Sequence, residues 1–248
     1  MSAPVATDAR QEPMTVLPPE LIPSVERLVT EDGKPVDNIY AEKQQRLLTA
    51  PLYASWAGPG DNRPFVAMSN VGMFFAVDQP PLVPDCLLSL DVRFGDLRQK
   101  EHRSYFFWVF GKAPDVILEV VSNQEGEELG QKLRQYARIG IPYYGVWDPE
   151  QLISRTRLRV YSLHIKSYKP LPKPWFPEVG LGLTIWHGAF EKMQGDWLRW
   201  CDRKGQVILT GEELAAQAEK RAEKAERRAE RLADQMRKLG INPKNGTG

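Results

Sequence analysis

The sequence predicts an α/β fold, and three observations carry that prediction. First, DVILEVVS, residues 115–122, is β-branched at four positions and reads as a strand, whereas the following EGEELGQKLRQYARIG changes to helical spacing and YYGVWDP returns to a strand. Strand, helix and strand in that order form an α/β unit. Second, every Trp, Tyr and Phe and 19 of the 20 prolines lie in the first 210 of 248 residues, which marks that part as the packed core. Third, Gly211 to Gly240 holds 15 charged positions in 30 and no proline, the composition of a solvated helix. The expected organisation is an extended segment over residues 1–30, an α/β domain over 31–210, a charged helix over 211–240 and a flexible tail over 241–248.

In chain order, EKQQRLLTAPLYASW from Glu42 predicts a short helix ending near Pro51, with Leu47 and Leu48 inward. GPGDNRP is a turn or loop. FVAMSN, GMFFAVD and CLLSLDV supply extended segments, and RSYFFWVFG (103–111) is expected to be a strand. After the α/β unit, LRVYSLHIKSYKP gives a later strand, and the aromatic residues from Trp175 to Trp200 are expected to seal the core edge. In the terminal helix, Ala218, Ala222, Ala225, Ala229, Leu232, Met236 and Leu239 recur at steps of four and three, a narrow apolar seam at coiled-coil spacing. That helix is either a solvated terminus or a pairing element, in a homodimer or with another protein, a homodimer through the core being the alternative, and Gly240 is expected to stop it.

Composition excludes several classes. A formal net charge of +1 fits neither a highly basic coat protein nor an acidic tail, although a local basic groove remains compatible with it. Two isolated cysteines, Cys86 and Cys201, and three histidines make no disulfide framework and no cysteine-rich zinc site. Without a long apolar run, the chain is expected to be cytoplasmic and to have no membrane partner.

The chemistry-bearing residues are carboxylates in apolar surroundings. By the two-residue strand period, Asp115, Ile117, Glu119 and Val121 share one face, and a glutamate in the middle of such a strand needs hydrogen bonds, a positive partner or a metal. Asp85 in LVPDCLLSLD is a second such carboxylate. Phosphodiester hydrolysis needs oxygen ligands for a hard divalent cation, an activated water and a cation near the phosphate. Asp85 and Glu119 answer the first need, and Lys132 on the following helix answers the last.

LVPD and APDVILEVVSN, followed by KLRQYARIGIPYYGVWDP and, far downstream, by MRKLGINP, resemble the Uma-two family of endonuclease-like proteins. That family belongs to the PD-(D/E)XK, restriction-endonuclease-like superfamily. The resemblance spans Asp32 to Gly240 in character and implies a mixed β-sheet core flanked by helices, with a divalent-metal site at one edge. It also implies an endonuclease acting on DNA, with magnesium as the default ion and manganese as the other. Asp85 matches the PD aspartate and Glu119 the acidic residue of the D/E-X-K motif. Val121 stands where the simplest motif has lysine, and Lys132 matches the helix lysine that replaces it.

Glu128, one helical turn before Lys132, is a candidate to position it or to help bind water, and Glu42 is the best match to the early-helix acid of the superfamily. Asp115 either joins the site or fixes the strand entry, and Ser122 and Asn123 resemble the family's turn. Two basic groups, Arg98, Lys100, His102 and Arg103, and Lys132, Arg134 and Arg138, are candidates for holding the phosphate backbone. The alternative is a catalytically inactive nucleic-acid-binding or regulatory protein that keeps the nuclease fold.

Overall fold

Six strands build the central sheet of the computed structural model, which describes residue 24 and residues 38–61, 63–124 and 127–239. The strands are β1 (Phe65–Met68), β3 (Cys86–Leu90), β5 (Val116–Val120), β6 (Tyr143–Trp147), β7 (Leu158–His164) and β8 (Ser167–Pro170), side by side in that order. Only β5 and β6 run parallel; every other neighbouring pair is antiparallel. The parallel pair requires a crossover, and α3 (Gln131–Arg138) makes it. Gly140 follows that helix with φ of +85°, which suits glycine at the turn into β6. A short parallel pair, β2 (Met73–Phe74) with β4 (Tyr105–Phe106), lies apart from the main sheet. The architecture is thus the mixed, helix-flanked sheet of the restriction-endonuclease-like fold.

The sheet is covered on both faces, so its central strands are buried at every position rather than alternating, and Ser89 and Glu119 are the polar residues among them. On one face, Val116, Leu118 and Val120 pack with Leu48 and Leu52 of α1 (Ile39–Ser55). Joining them are Leu181 and Leu183 of β10 (Leu181–Phe190) and Leu198 and Trp200 of β11 (Met193–Cys201). On the other face, Ile117 and Val121 pack with Tyr136 of α3 and Ile141. Aromatic residues after Trp175 do cover the core, as a separate three-stranded sheet completed by β9 (Trp175–Phe176).

Two sequence expectations need correcting. The first helix begins at Ile39, capped by the Asn38 side chain on the Ala41 amide, and runs through Pro51 to Ser55. Tertiary contacts outweigh the proline: Leu52 is fully buried, and the Tyr53 hydroxyl lies 2.9 Å from the Ala67 carbonyl and 2.7 Å from its amide. Residues 103–111 are not one strand. Only Tyr105–Phe106 pairs, and α2 (Phe107–Phe110) then turns to Gly111 at φ of +76°, which stacks Phe110 on Tyr105 with ring centres 4.4 Å apart. The expected extended segment, apart from Ser24, the helix stop at Gly240 and the terminal tail lie outside the described residues.

The last helix, α4 (Gly211–Lys238), starts in a capping box formed by Thr210 and Glu213. Its first turn is tied to the core through Glu213, which accepts both terminal nitrogens of buried Arg199 at 2.7 and 2.8 Å. No helix among the described residues is long and apolar enough to cross a membrane.

Close packing across the central strand gives one prediction. A Cβ on Gly145 of β6 would meet Leu118 Cδ2 at 2.6 Å, with Leu183 and Val160 behind it. Gly145→Ala is therefore expected to destabilise the protein by about 1–3 kcal/mol, read as a lower denaturant midpoint at unchanged slope.

Candidate active site

The candidate site forms where β3 and β5 meet at one end of the sheet. Their antiparallel register pairs Cys86 with Leu118; continued by one residue, it sets Asp85 opposite Glu119. The ladder ends there because Pro84 turns its carbonyl to the Asn70 amide. Asp85 takes its place: Oδ2 accepts the Val120 amide at 2.7 Å, while Oδ1 accepts Gln45 Nε2 at 2.7 Å. The sequence thus positions the aspartate with a proline-ended strand and a buried amide from α1.

Glu119 is 1% exposed and has both oxygens engaged. Lys132 Nζ donates to Oε2 at 3.0 Å and the Tyr136 hydroxyl donates to Oε1 at 2.6 Å. Lys132 and Tyr136 are four residues apart on α3, so one helical face supplies both donors. Tyr136 is itself seated against Tyr144, ring centres 5.2 Å apart, and the Tyr144 hydroxyl donates to the Glu128 carbonyl at 2.8 Å. Glu128 Oε1 lies 3.6 Å from Lys132 Nζ, while its Oε2 is buried without a hydrogen-bond partner among the described residues.

Burial and the negative charge of Asp85 push the Glu119 carboxyl up to about 8, against the opposing pull of Lys132 and Tyr136. For Lys132, burial opposes the charge, but the Glu119, Glu128 and Asp85 carboxylates outweigh it and hold the ammonium protonated above the usual lysine range. Asp85 is half-buried and the Lys132 side chain is 28% exposed, so solvent reaches the site at those two residues.

The donor set fits a hard divalent cation. The Asp85 charge acts on Glu119 at the end of the sheet, that repulsion is what a cation would relieve, and magnesium keeps several waters when bound by one or two carboxylates. No group of three or more His, Cys, Asp and Glu suited to a metal occurs among the described residues, so water would complete the shell.

Asp85, Glu119, Glu128 and Lys132 thus form one linked constellation. Glu42 does not join them through any contact: its carboxylate holds Arg46 at 2.5 Å, and Arg46 also holds Glu191 at 2.6 Å. Asp115 fixes the strand entry, accepting the Leu90 amide at 2.7 Å and Lys112 at 2.6 Å at the far end of β5. In the first basic group, Arg98 pairs with Asp96 and Arg103 donates to the carbonyls of Leu97 and Arg98. Arg134 and Arg138 are exposed on α3.

Sequence reasoning missed Gln45 and Tyr136. The QQ pair beside Leu47 and Leu48 was the available signal for the first, since both glutamines are buried. For Tyr136 it was the four-residue step from Lys132.

The chain matches the family model Uma2, described as "Putative restriction endonuclease", over residues 31–185. The match ends within β10, so β11 and α4 lie outside it. No curated protein matches the chain. The description points to nuclease chemistry on nucleic acid, and restriction-endonuclease-like proteins generally use a divalent metal. With the matched segment covering more than half of its residues, the chain belongs to the Uma2 family.

Proposed function

We propose that the protein is a divalent-metal-dependent endonuclease that hydrolyses phosphodiester bonds in DNA. The observation that carries this proposal is the joining of Asp85, Glu119 and Lys132 at one end of the central strands although they are far apart in sequence. Asp85 and Glu119 would hold the cation, with magnesium as the default for an all-oxygen donor set that manganese would also satisfy. When bound, the cation would polarise the phosphate and lower the pKa of an attacking water.

The chain's own residues do the rest. Lys132 orients the water and offsets charge developing on the phosphate as the water oxygen bonds to phosphorus and one ester bond breaks. Gln45 and Tyr136 fix the two carboxylates, and Arg134 and Arg138 hold neighbouring phosphates without reading sequence. Lysine on the helix can do this work because its amine reaches Glu119 from the face that Val121 leaves apolar.

The test is incubation of the full chain with supercoiled plasmid, duplex DNA and RNA, each with magnesium, manganese or chelator. Metal-dependent cleavage of DNA is expected to disappear in Asp85→Asn and Glu119→Gln while circular dichroism is unchanged. Binding of DNA without cleavage under any metal condition would overturn catalysis and leave a nucleic-acid-binding protein.

A further inference from the structure

The helix α4 presents an apolar seam that nothing in the described structure covers. None of its residues is buried, Leu232 is 50% exposed and Leu239, just beyond it, 75%. Along the seam, Ala215, Ala222, Ala229 and Met236 alternate with Ala218, Ala225, Leu232 and Leu239 at the two apolar positions of a heptad. The charges beside the seam are sorted by side. Glu219 and Glu226 occupy the edge after the second apolar position, and Arg221 and Arg228 the edge before the first.

These four charges have no opposite partner within their own helix. At three and four residues' distance, Glu226 meets Glu223, Glu230 and two alanines, and Arg228 meets Lys224, Arg231, Ala225 and Leu232. Glu219 and Arg221 likewise find no opposite charge at those spacings. Helical neighbours at these spacings interact, so like charges there cost stability. Elsewhere on the helix the spacing is used well, as in Glu223–Arg227 and Asp234–Arg237. A second helix in parallel register would neutralise Arg221 and Glu226, which stand five residues apart on opposite flanks of the seam.

We infer that α4 pairs with α4 of a second copy as a parallel, in-register coiled coil. In that arrangement Arg221 of each copy faces the partner's Glu226, giving two symmetric ion pairs, and Leu232, Met236 and Leu239 form the largest core layers. The antiparallel alternative sets arginine flank against arginine flank and glutamate against glutamate. Parallel pairing also carries both α/β domains at the same end of the helices, related by a twofold axis along them. This inference is independent of the nuclease proposal.

The experiment is sedimentation velocity on the full chain up to about 200 µM at low salt, with oxidative cross-linking of Leu232→Cys. Reversible dimerisation and a covalent 232–232 dimer are expected. Arg221→Glu should weaken dimerisation about 3- to 10-fold, and Arg221→Glu with Glu226→Arg should restore it. A chain that stays monomeric over the whole range, or a Leu232→Cys variant that does not cross-link to itself, overturns the inference. So does an Arg221→Glu variant that dimerises more tightly, the result antiparallel pairing would give.

Discussion

Glu119→Gln is expected to abolish metal-dependent cleavage, on the order of 10³-fold or more, while making the metal-free protein more stable at pH 8. The two effects share one cause. A carboxylate that is 1% exposed and faces Asp85 is an unfavourable charge, held for what it can bind rather than for folding. Glutamine keeps the shape: its oxygen can accept from Lys132, and its amide can donate to the Tyr136 hydroxyl, which switches from donor to acceptor.

The pH dependence has a definite sign. In the unfolded chain a glutamate titrates at about 4.3, whereas burial and Asp85 raise Glu119 to about 8 in the native state. Stability from the raised value is fully present below about pH 4.3 and is lost as pH rises through about 8. The advantage of the glutamine variant should therefore be smallest near pH 4 and grow to a few kcal/mol by pH 8, at about 1.4 kcal/mol per pKa unit. Urea melts at pH 4, 6 and 8 in chelator measure it. Magnesium should narrow the gap by stabilising the wild-type chain alone, and equal pH profiles for the two chains would remove Glu119 as the buried charge.

The same buried charge explains how much was legible in the sequence. Glu119 stood out because a carboxylate inside a β-branched run demands a partner, and the helix that must follow a parallel strand limits where the partner can come from. That helix offers Lys132, Arg134 and Arg138, and the family resemblance is what singled out Lys132. Gln45 and Tyr136 did not stand out, because a glutamine on an amphipathic helix and a tyrosine on a helix face are ordinary residues until the sheet end they meet is known. Glu42 attracted notice by its charge, yet it serves an ion pair with Arg46, three residues from the side chain that touches Asp85. Local signals failed in the same way at Pro51, where burial of Leu52 outweighs a helix-breaking residue, and at Phe107–Phe110, where ring stacking converts an apolar run into a turn. The start of α4, by contrast, was legible from the change in composition at Gly211, where the helix begins.

Lys132→Ala should lower cleavage about 10²- to 10⁴-fold and cost on the order of 3 kcal/mol, because it removes the ammonium that pairs with buried Glu119 and leaves it the Tyr136 hydroxyl. Returning a lysine at position 121 in that background should restore part of both losses. Val121 shares the Glu119 face of β5 and is two residues on, about 7 Å along the strand, within reach of an extended lysine. It also lines a cavity of about 490 Å³ with Ser122, Tyr40 and Leu152, so the longer side chain has space that a closed core would deny it. By itself Val121→Lys should destabilise, since Glu119 already has its ammonium and Glu150, the other carboxylate on that cavity, is exposed and gives only a weak surface pair. Combined with Lys132→Ala, the new lysine meets an unpaired carboxylate, and each substitution relieves the other. The double variant is expected to lose at least 1 kcal/mol less than the sum of the single losses and to cleave at least tenfold faster than Lys132→Ala. Strictly additive stability losses would show that residue 121 cannot reach Glu119, and coupling without recovered cleavage would show that the lysine must also approach the phosphate from the helix side.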